Sequence, residues 1–387
     1  MKTMTNNETK SFSGARKIAI FHQFMDNVGG AEILIFILAR ELNADIYTTN
    51  YDPNMMIRSG FADVIPKMHS IGWVPKQAPF RHELAFVRFF FLNLTDKYDF
   101  FIIGGDWAVS AAFNNQPNLW YVHSPLNEIW AFKDYIKNNL LSWWKKPLFE
   151  IFVWVHRKLT IYFSKKVGIW MCNSKNTQDR IKKYYNQNAL IDFPPIECNK
   201  YEYRPHRGYW LAVNRLLDHK RVHLQMKAFA KMPDKKLIIV GSYEKGVNQF
   251  EAYKNYVIGL KPNNVEILSW VDDSGLKKLY SECIGFVATA QDEDFGMSVV
   301  EAMAAGKPVI AGNEGGYKES VIDGATGILI DDINEDKIVE AVKKIELNPE
   351  KYKEVCLAQA RKFDTSVFVQ KINDQIDNYF SKQISTQ

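Results

Sequence analysis

Two glutamates stand eight positions apart in the second half of the chain, on either side of a glycine. Glu293 follows a short apolar strand at 285–289, and Glu301 lies one turn inside the next helix. The start of that helix offers backbone N–H groups that lack an intrahelical partner, a place that favours an anion. These donors belong to Phe295, Gly296, Met297 and Ser298. Each of the two carboxylates can therefore contact one end of an anionic ligand. This layout suits the sugar, diphosphate and ribose of a nucleotide-sugar.

Both glutamates also have a purely structural interpretation. Ser298, followed three residues later by Glu301, fits a capping box, and Gly306-Lys307-Pro308 fits a helix end. Glu301 would then close the first turn of its helix and bind no ligand. Glu293 lies in a loop rich in Asp and Glu, so its structural alternative is a solvated surface charge.

Two other segments place phosphate-binding groups next to a strand end or a helix start. Arg215 and Lys220 follow an apolar strand at 209–213, where two cations could neutralise a diphosphate leaving group. Gly29-Gly30 opens the first helix and allows close approach of the backbone to a phosphate. Scattered surface cations and an ordinary tight turn are the alternatives. The glycine pair lacks the G-x-G-x-x-G pattern, which disfavours NAD.

Length and composition limit the class of protein. A chain of 387 residues is longer than one core usually supports, so two domains are expected. The apolar fraction of 47% and the charged fraction of 24% are those of a soluble globular protein, and a net charge of +5 is too small to indicate nucleic acid. The four cysteines show no C-x-x-C spacing, which predicts reduced thiols in a cytoplasmic protein. We expect no secretory leader and no membrane span.

Short apolar strands alternate with helical segments in both halves, which predicts two doubly wound α/β domains with parallel sheets. Their strand ends would share a cleft, where such sheets bind ligands. The predicted strands are 17–21, 44–49, 100–104, 119–123, 169–173, 209–213, 237–240, 265–268, 286–289, 309–311 and 328–330, and the predicted helices include 31–42, 221–232, 274–282 and 367–380. The predicted units are a disordered tail at 1–16, a first domain at 17–192, a linker at 193–208, a second domain at 209–365 and a C-terminal helix at 366–387.

The segment 130–167 combines positive charge with aromatic residues. It contains eight Lys or Arg residues against two acidic residues, and three of its aromatics are Trp143, Trp144 and Trp154. Aromatics at helical spacing often pack in a core. Alternatively, tryptophans at headgroup depth with lysines facing anionic lipid would form a membrane-surface face. Nucleic-acid binding is the least favoured alternative, because no module signature accompanies the segment.

Several of these motifs together resemble the retaining glycosyltransferases of family 4, which have the GT-B fold. The likeness is carried by Glu293-x7-Glu301, by the run AMAAGKPVI that follows, and by residues 315–327. It extends to Gly29-Gly30-Ala31-Glu32, to residues 214–221, and to Tyr121-Val122-His123-Ser124-Pro125 with Trp130, which is similar to the mannosyltransferase-like members. In all it covers about residues 17–380. Asn127 departs from the pattern, because many relatives have Arg there.

The resemblance implies roles for the individual residues. Glu293 would lie near the donor sugar, Glu301 would bind the ribose hydroxyls, and Arg215 and Lys220 would hold the donor diphosphate. Gly30 would line the diphosphate and acceptor side of the cleft, and His123 would contact the donor sugar or the reaction centre. The first domain would bind the acceptor, and the C-terminal helix would return to it.

The activity implied is retaining transfer of a hexose, best matched by mannose from GDP-mannose, to a hydroxyl of a glycan or a lipid-linked glycan. UDP-sugars remain open as donors, no divalent ion is expected, and an anionic membrane surface is a possible partner on the cytoplasmic face. Two alternatives stay open: a non-catalytic module that binds nucleotide-sugars, and a nucleotide-sugar epimerase of the same fold.

Overall fold

The protein is described from a computed structural model that covers residues 16–385 except 28, 77–79, 242–247 and 270. Apart from Arg16, the predicted tail therefore lies outside the described residues. Two parallel sheets, each covered by helices, make up the described chain.

The first domain is built on a sheet of seven strands in the order β5-β3-β1-β6-β7-β8-β9, and all neighbouring strands are parallel. Every residue of β1, β6 and β7 is buried, which explains why their sequences are continuous apolar runs. A small parallel pair, β2 with β4, lies beside the sheet. The strands are β1 (Ile18–Phe21), β2 (Phe24–Met25), β3 (Asp45–Thr48), β4 (Asn50–Tyr51), β5 (Met68–Ser70), β6 (Phe100–Ile103), β7 (Asn118–Val122), β8 (Ile169–Cys172) and β9 (Leu190–Ile191). The helices are α1 (Gly30–Glu41), α2 (Pro53–Arg58), α3 (Arg81–Phe91), α4 (Lys133–Tyr135), α5 (Lys146–Ser164) and α6 (Lys175–Tyr185).

The second domain has a six-stranded parallel sheet in the order β12-β11-β10-β13-β14-β15. Its strands are β10 (Tyr209–Val213), β11 (Lys236–Val240), β12 (Val265–Leu268), β13 (Phe286–Ala288), β14 (Val309–Gly312) and β15 (Gly327–Ile330). Its helices, with the C-terminal helix, are α7 (Val222–Ala230), α8 (Asn248–Gly259), α9 (Asp273–Glu282), α10 (Met297–Ala304), α11 (Tyr317–Ser320), α12 (Glu335–Glu346), α13 (Lys353–Ala360) and α14 (Thr365–Ser385). The predicted α/β class with two doubly wound domains is confirmed.

The chain crosses between the domains twice, and the two crossings are paired with each other. The Ile196 N–H donates to the Phe363 carbonyl at 2.8 Å, and the Thr365 N–H donates to the Ile196 carbonyl at 3.1 Å. After the second crossing, α14 lies against the first domain, where its apolar side is buried in the same core as α1 and β1. The buried residues of α14 in that core are Phe368, Ile372 and Ile376.

The segment 130–167 divides between core and surface. Phe163 and Val153 are buried, and Phe149 and Phe152 pack partly against the core. The expectation that its aromatics fill the core is wrong for the side chains on the outer side of α5 and just before it. Exposed there are Trp143, Trp144, Trp154 and Tyr162. In the part of the chain that the structure describes, none of the helices combines the length and the apolar character that a transmembrane span requires.

Candidate active site

A cavity of about 740 Å³ lies between the two domains. Its second-domain wall consists of the loop after β10, the loop after β13 and part of α8. These two strands are neighbours in the sheet although they are far apart in the chain, so the order of strands reverses between them. Parallel sheets bind ligands at such a point, beyond the carboxyl ends of the strands.

Lys220 and Glu293 form an ion pair in this wall. The Lys220 ammonium donates to Glu293 Oε2 at 2.5 Å, and Arg215 lines the same cavity. Burial acts to raise the pKa of the Glu293 carboxyl, but the charge and hydrogen bond of Lys220 outweigh it and hold that pKa below its usual value. The structure thus brings together three of the residues that the sequence predicted.

The neighbouring His219 stays neutral in the same wall. Burial and the positive charge of Lys220 lower the pKa of His219 to about 4. Its ring packs against Phe132 of the first domain, with centroids 5.9 Å apart. The cavity therefore has a cationic part at Lys220 and Arg215 beside an uncharged imidazole.

Two glycines after β14 fix the loop that carries Glu293. The Gly316 N–H donates to the Glu293 carbonyl at 2.7 Å. Gly315 has φ +57°, and a Cβ there would lie 2.5 Å from the same carbonyl oxygen. A side chain at position 315 would therefore displace the backbone of Glu293. The sequence showed this pair only as part of a family pattern.

Helix α10 begins immediately after Gly296, which has φ +88°, and a Cβ on Gly296 would lie 2.5 Å from the Tyr317 ring. The first helical amide to reach a carbonyl is that of Val299, which donates to Gly296 at 3.1 Å. The amides of Met297 and Ser298 precede it, as predicted for an anion-binding helix start. The Phe295 side chain instead packs in the second domain's core.

Glu301 does not close a capping box, so that structural alternative is wrong. The helix starts at Met297 without a side-chain cap, and Glu301 accepts a hydrogen bond from the Tyr280 hydroxyl at 2.7 Å. Burial raises the pKa of the Glu301 carboxyl, although Tyr280 and Tyr201 oppose this shift. Glu301 lines a separate cavity of about 70 Å³, together with Met297 and residues of α1. Glu301 and Glu293 therefore do not line the same cavity.

The first-domain wall starts at the glycine pair. A Cβ on Gly30 would lie 3.0 Å from the sulfur of Met297, so the two domains meet here. The Gly29 N–H donates to Glu32 Oε2 at 2.8 Å, and Glu32 Oε1 is 3.3 Å from His22 Nε2. Burial would raise the pKa of the Glu32 carboxyl, but His22 and the Gly29 amide lower it overall.

His123 follows β7 on the first-domain side, but it is not among the residues that line the cavity of about 740 Å³. Its ring packs against Tyr121, its carbonyl accepts from Asn173 at 2.7 Å, and its Nε2 is buried without a hydrogen-bond partner in the described chain. Burial and the nearby His22 lower the pKa of His123 to about 3, so the ring is neutral. A buried ring nitrogen without a partner is a group that a ligand hydroxyl could satisfy.

Arg180 of α6 joins the first domain to the Glu293 loop. Its guanidinium contacts Asp292 Oδ2 at 2.8 Å and Asp294 Oδ1 at 2.5 Å. On the same helix, the Lys175 N–H donates to Glu319 of the second domain at 2.7 Å. No role for Arg180 could be predicted from the sequence, because a cation on a helix with many lysines resembles a solvated one.

The predicted residues thus fall into three groups. Arg215, Lys220 and Glu293 line the large cavity, whereas Met297 and Glu301 line the small one. Gly30 meets Met297 from the opposite domain, as described above. The polar residues that sequence reasoning missed are His22, Glu32, Arg180, His219 and Asp294.

Comparison with known proteins agrees with this architecture. Residues 199–363 match the family model described as glycosyl transferases group 1. The chain is 26% identical to the alpha-1,3/1,6-mannosyltransferase ALG2 of Dictyostelium discoideum, over 92% of this chain and 96% of that protein.

Two solved structures share the fold at low sequence identity. Anabaena Alr3699/HepE in complex with UDP-glucose is 18% identical with a TM-score of 0.73, covering 94% of this chain and all (100%) of that one. Sucrose-phosphate synthase from Thermosynechococcus elongatus is 15% identical with a TM-score of 0.74, covering 95% and 100%. The chain is a glycosyltransferase of the GT-B fold.

Proposed function

We propose that the protein is a retaining hexosyltransferase that uses a nucleotide-sugar donor. The observation that carries this proposal is the partly buried ion pair of Lys220 with Glu293, set beside Arg215 in the interdomain cavity. Cations at this point stabilise the charge that develops on a leaving diphosphate. The first turn of α10 adds backbone N–H groups to the same anion.

In the proposed reaction, the bond from sugar C1 to the diphosphate oxygen breaks, and a bond from C1 to the acceptor oxygen forms on the same face of the sugar. The proton of the acceptor hydroxyl passes to the departing nucleoside diphosphate. Glu293 would bind sugar hydroxyls, Glu301 the ribose, and the neutral His123 a hydroxyl near the reaction centre. No enzyme carboxylate needs to attack the sugar, so we assign no nucleophile.

We propose GDP-mannose as donor and a hydroxyl of a glycan or lipid-linked glycan as acceptor. The similarity to a mannosyltransferase over most of both chains supports mannose, whereas the UDP-glucose complex of the Anabaena protein keeps UDP-sugars as the competing donors. We propose that no divalent ion is required. Asp292 and Asp294 form an Asp-x-Asp sequence, but Arg180 binds both carboxylates. The proposed place of action is an anionic membrane surface on its cytoplasmic face.

The test begins with a thermal-shift panel of GDP-, UDP-, ADP- and dTDP-sugars, with and without EDTA. Each donor that stabilises the protein is then incubated with candidate glycan acceptors, and the products are separated by mass and anomeric configuration. A glycosylated product with the donor's anomeric configuration supports the proposal. Binding without turnover would indicate a non-catalytic module, and free nucleotide with an isomerised sugar would indicate an epimerase. An inverted product would overturn the retaining assignment.

A further inference from the structure

The first domain carries an exposed apolar surface on α3 and α5, which we call the α3/α5 face. On α3, the outward side chains are spaced three and four residues apart, as on one side of a helix. Trp143, just before α5, is 83% exposed, and Trp154 in the middle of α5 is 63% exposed. The face consists of Leu84, Val87 and Phe91 of α3, Leu148, Ile151, Trp154 and Tyr162 of α5, and Trp143 and Trp144 before α5.

The segment 106–113 packs against both helices, and side-chain contacts join the two helices directly. The ring of Phe163 on α5 packs between Phe86 and Phe90 of α3, at centroid distances of 5.1 and 5.5 Å. Glu83 of α3 also lies 3.4 Å from His156 of α5. Inward-facing residues thus join the helices while the opposite sides point outward. Exposed apolar patches of this extent usually mark an interaction surface.

The charge around the face selects the partner. The one carboxylate of α5, Glu150, is paired with Lys133 at 2.8 Å and Lys137 at 2.6 Å. The lysines at the two ends and the edge of the face remain as excess positive charge. A second copy of this chain would bring like charges together, and a nucleic acid would not need the aliphatic side chains. Tryptophans with flanking lysines suit an anionic lipid headgroup layer. The lysines concerned are Lys145, Lys146, Lys158, Lys165 and Lys166.

A polar cavity of about 470 Å³ opens at the beginning of α3. Phe80, which immediately precedes α3 and is 72% exposed, lines this cavity. Arg81 binds Asp26 at 2.5 Å and lies over the Phe24 ring, and its Nε is buried without a hydrogen-bond partner among the described residues. A planar ion pair beside an aromatic ring suits a polar head with hydroxyls.

Glu32 connects this cavity to the surroundings of His123. Its carboxylate lines the cavity and lies 3.3 Å from His22 Nε2, and both of these charges act on the His123 ring. The cavity opens on the other side at Phe80, next to the start of the α3/α5 face.

We propose that the α3/α5 face docks on an anionic bilayer and that the Asp26–Arg81 cavity receives the polar head of a lipid-borne acceptor from that bilayer. This inference rests on the proposed transfer function and names its acceptor class as amphiphilic. The anchor would stay in the membrane beside Phe80, while the reacting hydroxyl points toward His123.

Docking is tested by flotation with phosphatidylcholine vesicles, with or without phosphatidylglycerol. The full chain should float only with the anionic vesicles and should be released by salt, because the attraction is screened. Lys145→Glu with Lys146→Glu should lower partitioning at least tenfold. The matched control is Lys343→Glu with Lys344→Glu, an exposed lysine pair on α12 of the second domain, which should float like the parent. Equal recovery on both vesicles, no recovery, or a stable dimer by light scattering would overturn the membrane assignment.

Acceptor delivery is tested by a polarity-sensitive dye on Phe80→Cys. On anionic vesicles its emission should shift to the blue, whereas the same dye on Leu347→Cys, an 86% exposed position at the end of α12, should not shift. No shift at Phe80→Cys in a chain that still floats would overturn delivery from the bilayer. Flotation does not depend on turnover. If the chain docks on vesicles but transfers no sugar, only the proposed function is contradicted.

Discussion

The two walls of the interdomain cleft are built in different ways. In the second domain, the charged groups that line the cleft come from two short stretches of chain, 215–220 and 292–294. In the first domain, the polar groups that line it come from three separate places: the segment between β7 and α4, α4 itself, and α6. A site made of contiguous residues keeps its spacing in the sequence, whereas a site assembled from distant elements exists only after folding. The sequence therefore predicted charged residues of the second-domain wall but none of the polar first-domain residues that line the cavity.

The predicted residues of the two domains also differ in charge. Burial acts to raise the pKa of Glu293, but the charge and hydrogen bond of Lys220 lower it, so the Glu293 carboxyl is ionised. On the first-domain side, burial keeps His123 neutral with a pKa of about 3. A charged wall suits a leaving diphosphate, and a neutral donor or acceptor of hydrogen bonds suits hydroxyls. Four predictions test this contrast.

Lys220→Ala should have the largest effect. Loss of one charge-assisted contact to the diphosphate should cost about 2–3 kcal/mol in the transition state, which is roughly a 30- to 150-fold loss of kcat/KM. Turnover should fall more than stability does. Lys318→Ala, an exposed lysine of the same domain, is the control and should leave kcat/KM unchanged. If Lys220→Ala kept the parent kcat/KM, the assignment of Lys220 to the diphosphate would be wrong. The contrast between the two walls would then lose its basis.

Arg180→Lys tests whether a residue of the first domain holds the Glu293 loop of the second domain in position. A lysine cannot hold Asp292 and Asp294 together as the guanidinium fork does, so the Glu293 loop loses its tie to α6. We expect kcat to fall about tenfold, near 1.4 kcal/mol, with donor Kd within twofold of the parent. Arg207→Lys, whose partner Glu282 lies outside the cleft, is the matched control. A changed donor Kd with normal kcat would instead make Arg180 a donor-binding residue.

Glu301→Gln should weaken nucleotide binding about fivefold, or roughly 1 kcal/mol, because one hydrogen bond to a hydroxyl loses its charge. Isothermal titration with the free nucleoside diphosphate measures this. Tyr280→Phe serves as the comparison, since it removes the hydroxyl that holds the Glu301 carboxylate. If both variants lose stability while the Kd for the nucleoside diphosphate stays constant, Glu301 is a structural residue. The proposed donor site then does not include it.

Asp294→Asn should lower kcat/KM a few-fold at pH 7 and flatten the pH profile, because Asn resembles the protonated carboxyl at every pH. Burial raises the pKa of Asp294 to about 6, against the opposing charge of Arg180. The parent kcat/KM should decline a few-fold from pH 7 to pH 5 as the carboxylate takes a proton, and this decline should be absent in Asp294→Asn. A folded-state pKa above the ordinary value means that this group favours folding increasingly as pH falls from about 6 to 4. The decline therefore should not coincide with a lower melting temperature, and a coincident loss would contradict this origin.

The sequence predicted the central strands well because burial on both faces makes them uninterrupted apolar runs. The central strand Tyr209–Val213 has the predicted bounds, and most others differ by one residue at an end. The edge strand Val265–Leu268 also has the predicted bounds, although it is only partly buried. The edge strands Met68–Ser70 and Leu190–Ile191 were not predicted. They have three and two residues and lie at the sheet margins, where one neighbour supplies the ladder and no apolar run is required.

Within the site, the residues that could not be predicted are those whose partners lie in distant parts of the chain. Glu293 and Lys220 could be found because each lies in a contiguous motif. Glu301 had two interpretations, ligand binding and a capping box. Its contact with the Tyr280 hydroxyl, twenty-one residues earlier, excludes the capping box. His22 and Arg180 have no local signal, since their partners come from other elements. The role of the segment around Trp154 depended on which side of α5 faces the core.

The paired crossings at Ile196 and Phe363–Thr365 limit how the two domains can move. Two chain segments that are hydrogen-bonded to each other resist sliding and twisting, so the easiest motion left is rotation about the line they form. Opening then has a single degree of freedom, as in a hinge closure. The contact of Gly30 with Met297 and the tie of Arg180 to the Glu293 loop must break in the same rotation. The donor would thus enter and the nucleotide would leave through the same rotation. A cross-link across either contact would prevent both steps.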